Sequence, residues 1–210
     1  MNDNVLFAGV HKSLLGLCFG MLEQNDPGHQ LPHIRAVVRN GLQIAEHYGI
    51  DPMPFKLAGV CHDIFSSADR VNHHTRAGEW VRENFKHYPG FEKYAELVAR
   101  MCEEHRSSYK GAYSGLFEEG FAAADRGVPT VEDSVVRSFN HHNARGEGTL
   151  ISIVNDSIAH LQAKFGPSGY NRDNAVHREV FGDALERFKG TVMKLTTEQY
   201  IWILKKHNLV

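Results

Sequence analysis

The chain has 210 residues, with 23 Lys and Arg against 25 Asp and Glu, for a formal charge of -2 with histidine neutral. Hydrophobic residues make up 42% and charged residues 23%, which rules out a disordered chain, and so even a charge balance argues against a nucleic-acid binder working through a strongly basic face. The length reads as one domain, 1–210, able to bury roughly 70% of its unfolded surface.

Three cysteines, Cys18, Cys61 and Cys102, are far apart and include no CxxC. They point away from a disulfide framework or a zinc knuckle and toward a reducing, cytoplasmic setting. Near the start, the apolar patches Val5 to Val10 and Leu14 to Leu22 are split by His11, Lys12 and Ser13. Each is shorter than the roughly 20 residues of a membrane span. No A-x-A cleavage site follows Leu22, so the segment reads as a buried first helix ending before Pro27 rather than a signal peptide.

Helical periodicity recurs from there to the end of the chain. After Pro32, the positions Ile34, Val37, Val38, Gly41, Ala45 and Tyr48 predict a helix closed by Gly49. Asp51-Pro52-Met53-Pro54 breaks the chain before a short apolar helix, Phe55 to Cys61, which runs into His62-Asp63. A further helix is expected over His73 to Phe85, stopped by Pro89-Gly90. Tyr94, Leu97, Val98, Met101 and Cys102 form one stripe that His105 continues. Leu116 to Arg126 is the next helix, with Gly127 and Pro129 past its end. Helices then follow at Thr130 to Phe139, Leu150 to Phe165, Arg172 to Gly190 and Thr197 to His207, with Asn140 to Gly148 and Gly166 to Asn171 as polar, Gly-rich loops. The expectation is an all-α chain whose last third packs on the first two-thirds.

Six side chains stand at or near the inner faces of these helices: His33, His62, Asp63, His74, His105 and Asp125. Imidazole and carboxylate without thiolate is a donor set for Mn, Fe, Ni, Zn and similar divalent ions. Six donors exceed the four of a structural zinc site. They suffice for two ions if Asp63 bridges, with His33, His62 and Asp125 on one and His74 and His105 on the other. Such a pair can activate a water for phosphoryl transfer. At the third histidine His73 is the alternative, and the Gly four residues on, Gly78, favours His74.

The segments Pro32-His33-Ile34-Arg35, Val60-Cys61-His62-Asp63-Ile64, His74-Thr75-Arg76-Ala77-Gly78, Glu104-His105 and Ala124-Asp125-Arg126 together resemble the HD-domain superfamily of metal-dependent phosphohydrolases. The resemblance covers residues 32 to 126. It implies an HD-like helical bundle over 28–130, with additional C-terminal helices over 131–210. It also implies His33, His62, Asp63 and Asp125 as ligands of a first metal and His74 and His105 as the extra ligands of the binuclear branches. Asp63, His74 and His105 are then also the catalytic set. Two departures matter. Ile64-Phe65-Ser66 replaces the Ile-Gly-Lys found in many members, and Arg106-Ser107-Ser108-Tyr109 stands where cyclic-dinucleotide phosphodiesterases carry Gly-Tyr-Pro, which argues against cyclic-di-GMP as substrate.

The expected activity is hydrolysis of a phosphate ester of a nucleotide or small phosphorylated metabolite. Its cofactors would be two divalent ions, Mn or Fe first and Mg, Co, Ni or Zn next, with Lys110, Arg145 and Lys164 as candidate phosphate contacts. The alternative on the same ligands is a di-iron oxygenase that cleaves a small metabolite with O2. A third possibility is a regulatory binder that keeps a metal-stabilised fold. No membrane or nucleic-acid partner is expected. His141-His142 reads as part of a solvated loop, and Arg126, turned about 100° from Asp125 on its helix, as a salt-bridging residue.

Overall fold

The computed structural model describes residues 2–25, 29–144, 148–167, 169 and 173–210. Among these the protein is all-α, with eleven helices and no strand. They are α1 (Asp3–Leu6), α2 (Lys12–Leu22), α3 (Leu31–Tyr48), α4 (Met53–Cys61), α5 (His73–Asn84), α6 (Ala95–Glu104), α7 (Leu116–Arg126), α8 (Val131–Asn143), α9 (Leu150–Phe165), α10 (Ala175–Met193) and α11 (Thr197–Lys206). No described helix is long and apolar enough to cross a membrane.

By its contacts the chain forms two compact units, Met1–Gly127 with Asn174–Val180, and Val128–Asp173 with Phe181–Val210. In the first unit α4 is the central element, and every residue from Pro54 to Cys61 is buried. A helix buried on every side has no solvent face and must be wrapped by others, and its one charged residue there, Lys56, donates to the Ala8 carbonyl at 2.8 Å. Helix α3 lies against it along the buried stripe Ile34, Val37, Val38, Gly41, Ile44 and Ala45. The approach is close: a Cβ at Gly59 would meet Val38 Cγ2 at 2.5 Å, and one at Gly41 would meet Phe55 Cβ at 2.7 Å. Gly49, at φ 63°, ends α3, and the Ile50 amide reaches back to the Ala45 carbonyl, a closure open to glycine because the left-handed conformation crowds any Cβ. Helices α5, α6 and α7 complete the wrap, with α6 contacting both α4 and α5.

The single N-terminal helix read from sequence is interrupted. Gly9 sits at φ +85°, so α1 and α2 are separate, and α2 buries Leu14, Cys18 and Leu22 on one face. All three cysteines are free and buried.

The second unit has its own core of Val135, Phe139, Val154, Leu161, Phe165, Phe188, Val192, Tyr200 and Leu204. Thr130, Thr149 and Thr196 cap α8, α9 and α11, each accepting a backbone N–H through its hydroxyl, which satisfies one of the orphan donors of the first turn. Tyr200 is fully buried and donates its hydroxyl to the Val135 carbonyl at 2.9 Å. Helix α8 runs on to Asn143, so His141 and His142 lie in its last turn rather than in a loop. Their rings stand 6.1 and 5.5 Å from that of His160 on α9. The expected start of the tenth helix, Arg172, lies outside the described residues.

Candidate metal centre

Helix ends in the first unit bring six donors together. His33 stands in the first turn of α3, just past Pro32, whose fixed φ suits a helix start. His62 is the residue on which α4 ends, and Asp63 opens the turn that follows. His73 opens α5, His105 terminates α6, and Asp125 lies in the last turn of α7. The closeness of α3 and α4 at Gly59 and Gly41 is what lets the first two of these meet.

Two sets of donor atoms could each hold a metal ion: His33, His62 and Asp63, and Asp63, His73 and His105. Asp63 belongs to both. Its Oδ2 lies 3.6 Å from His33 Nε2 and 3.3 Å from His62 Nε2, and its Oδ1 lies 3.4 Å from His73 Nε2. Asp125 Oδ1 joins the first set, 3.1 Å from His33 Nε2 and 3.5 Å from His62 Nε2. The two imidazole Nε2 atoms are themselves 3.4 Å apart. Donors at right angles around an ion with bonds of roughly 2.0–2.2 Å stand about 3 Å from one another, so the spacing fits a cation with little rearrangement.

The imidazoles are aimed by their own backbones. His62 Nδ1 lies 3.0 Å from the Gly59 carbonyl, His73 Nδ1 3.1 Å from that of Arg70, and His105 Nδ1 2.6 Å from that of Cys102. A carbonyl oxygen only accepts, so Nδ1 carries the proton and Nε2 turns its lone pair inward, as a metal ligand requires. Phe121 of α7 forms one wall, edge-on to the His62 ring at 5.4 Å and 6.2 Å from the ring of His105. His62 is 0% and Asp63 2% exposed, so charge here is not shared with bulk water.

Titration follows from that burial. Desolvation opposes charge on His62, but the carboxylates of Asp63 and Asp125 outweigh it and push the imidazole up to about 10. Burial also opposes charge on Asp63 and Asp125, yet the histidines around them hold both carboxyls below the usual carboxylate range. His105 goes the other way, because its burial dominates and lowers it to about 4. Burial likewise lowers His73. Without a cation, the cluster is a proton held among carboxylates.

His33, His62, Asp63, His105 and Asp125 are thus brought together, and the histidine that joins them from the start of α5 is His73 rather than His74. Adjacent helical residues point about 100° apart, and here His73 turns in while His74 faces a separate cavity. Gly78 was a misleading marker: a Cβ there would meet Glu103 at 2.6 Å, so its smallness serves the packing of α5 on α6. Lys110 lines the same cavity as His74. Arg145 lies outside the described residues. Lys164 belongs to the second unit, half-buried with its nitrogen 5.1 Å from the Phe165 ring centroid. Arg126 donates to the Tyr113 hydroxyl at 2.8 Å.

One supporting residue escaped the sequence reading. Asn25, 4% exposed, donates to the Asp63 carbonyl at 2.9 Å and accepts from the Ser67 amide at 2.9 Å. It ties the turn carrying Asp63 to the segment after α2. A lone Asn before Asp26-Pro27 carries no periodic signal, and only the fold brings it here.

No curated protein and no solved structure matches the chain. The family model for the HD domain, an all-α fold of the metal-dependent phosphohydrolase type, matches residues 31–159. That is more than half of the chain, it contains all six clustered donors, and HD domains bind divalent metals. The chain belongs to the HD domain family.

Proposed function

We propose that the protein is a phosphohydrolase that uses two divalent cations to cleave a phosphate ester of a nucleotide or another small phosphorylated metabolite. The observation that carries this is the division of the Asp63 carboxylate, one oxygen toward His33 and His62 and the other toward His73. His33, His62, Asp63 and Asp125 would hold one cation, and Asp63, His73 and His105 the other. When bound, such a pair lowers the pKa of a water and neutralises charge building on the phosphoryl oxygens. An all-nitrogen-and-oxygen donor set suits Mn or Fe and also admits Mg, Co, Ni or Zn.

The chain's own groups do the positioning. The Gly59, Arg70 and Cys102 carbonyls lock three imidazole tautomers, Phe121 walls off one side, and Asn25 holds the Asp63 turn. His33 and Asp125, the partly exposed members of the cluster, mark the side from which a substrate enters. Burial of Asp63 and His62 keeps the reacting end of the site in a low-dielectric setting, where each charge acts more strongly than in water.

The test pairs elemental analysis of protein purified without added metal with phosphate release from a nucleotide panel in Mn2+. Asp63→Asn keeps the shape and removes the shared charge. It should lose bound metal and at least about 100-fold in turnover. Equal activity in the two proteins would overturn the reading. Oxygen consumption by iron-loaded protein without phosphate release would replace it with oxidative cleavage.

A further inference from the structure

Beside the cluster is a cavity of about 370 Å³ lined by His74, Glu103, Arg106, Ser108, Tyr109, Lys110 and Gly111. That volume is at the lower end of small-molecule sites. Two of its lining residues adjoin members of the donor cluster. The His74 ring is 5.6 Å from that of His73, and Arg106 directly follows His105.

Its electrostatics are one-sided. Glu103 is the only carboxylate in the lining, and its two oxygens are held by Arg82 at 2.5 and 3.1 Å. Arg106 gives one N–H to the Val71 carbonyl at 2.6 Å. Among the described residues, neither Arg106 nor Lys110 has a carboxylate partner, and Lys110 makes no hydrogen bond. His74 adds a second signal: its Nδ1 is buried with no hydrogen-bond partner. A buried polar atom left unpaired costs free energy, and Arg106 and the exposed Lys110 bring two positive charges to the same cavity with no carboxylate among the described residues to pair with them. One kind of occupant relieves both, an anion with several acceptor oxygens. The planar donors of arginine match phosphate in particular.

We infer that this cavity binds a second phosphate of the substrate, joined by a short bridge to the one that is cleaved, through Arg106, Lys110, Ser108 and His74. The inference rests on the phosphohydrolase reading for its substrate and names the class: nucleoside diphosphates and triphosphates, or comparable bisphosphates, ahead of monophosphates. These residues set specificity and take no part in bond cleavage.

Two measurements test it, one independent of turnover. Calorimetric titration of EDTA-stripped protein with inorganic tripolyphosphate should show binding that weakens about tenfold in Lys110→Gln and in Arg106→Gln. Arg106 also supports the Val71 segment, so Lys110→Gln is the decisive variant. No binding by the unmodified protein, or equal binding by that variant, overturns the assignment. In turnover, the ratio of kcat/KM for adenosine diphosphate over adenosine monophosphate should fall about tenfold in the same variants, mainly through KM. An unchanged ratio also overturns it. Should no phosphate ester be hydrolysed with any cation, the hydrolase reading fails while the titration still decides the anion site.

Discussion

The choice between His73 and His74 shows what one residue of register decides. Both are imidazoles at the start of α5, and only the rotation of the helix on its axis separates a member of the donor cluster from a cavity wall. His73→Ala should therefore reduce bound metal from about two cations per chain to about one, while His74→Ala leaves the count unchanged; elemental analysis after desalting reads the difference. Titration gives a second prediction, for metal-free protein. His62, raised to about 10, contributes stability that is complete below its unfolded value of roughly 6.5 and lost as pH rises through its folded value. His105, depressed to about 4, withdraws stability as pH falls from roughly 6.5 toward its folded value, and His73 acts in the same direction. Metal-free protein should thus melt at its highest temperature near pH 6.5 and lower on both sides. Excess Mn2+ should move that optimum upward, because a ligated His62 has already given up its proton; thermal melts across pH with and without EDTA check this.

At the scale of elements, most of the helices were legible because apolar stripes and Gly or Pro stops are written locally. Leu150–Phe165 and Leu116–Arg126 needed nothing beyond their own residues. What sequence could not supply was set by distant partners. The break at Gly9 needs a positive φ, and α8 continues through His141 and His142 because those rings pack with His160 of α9. Five of the six clustered donors were readable because imidazole and carboxylate on an otherwise apolar helix face are conspicuous, and the sixth, His73, depended on the rotation of α5. Asn25 and Arg106 were not, since what they do depends on groups brought to them from other segments. The contact between α3 and α4 yields a prediction of its own. Gly59→Ala forces a Cβ toward Val38 and should cost about 1–3 kcal/mol in denaturant unfolding. It should also weaken Mn2+ binding, since His33 and His62 separate as the helices part. Gly182→Ala, where a Cβ meets nothing within 4 Å, is the matched control.

For the whole molecule, the proposed cation binding would be linked to folding of the first unit. The donors come from α3, α5 and α7 and from the ends of α4 and α6, so no fragment of the unit holds the complete set. A cation at 100 times its dissociation constant should stabilise the protein by about 2.7 kcal/mol. For a chain of this size, that raises the melting temperature by roughly 5–10 °C. Calorimetry at graded Mn2+ measures the shift, and hydrogen exchange should show added protection spread over α3 to α7 rather than at one helix. The span from His33 to Asp125 gives this coupling another meaning. A cation gripping both ends would cinch most of the first unit into a ring, and because it is released when the donors part, its hold acts on the folded state alone. On the proposed function, the ion would be a detachable staple at the reacting site, and its scarcity would loosen the scaffold and silence the reaction together.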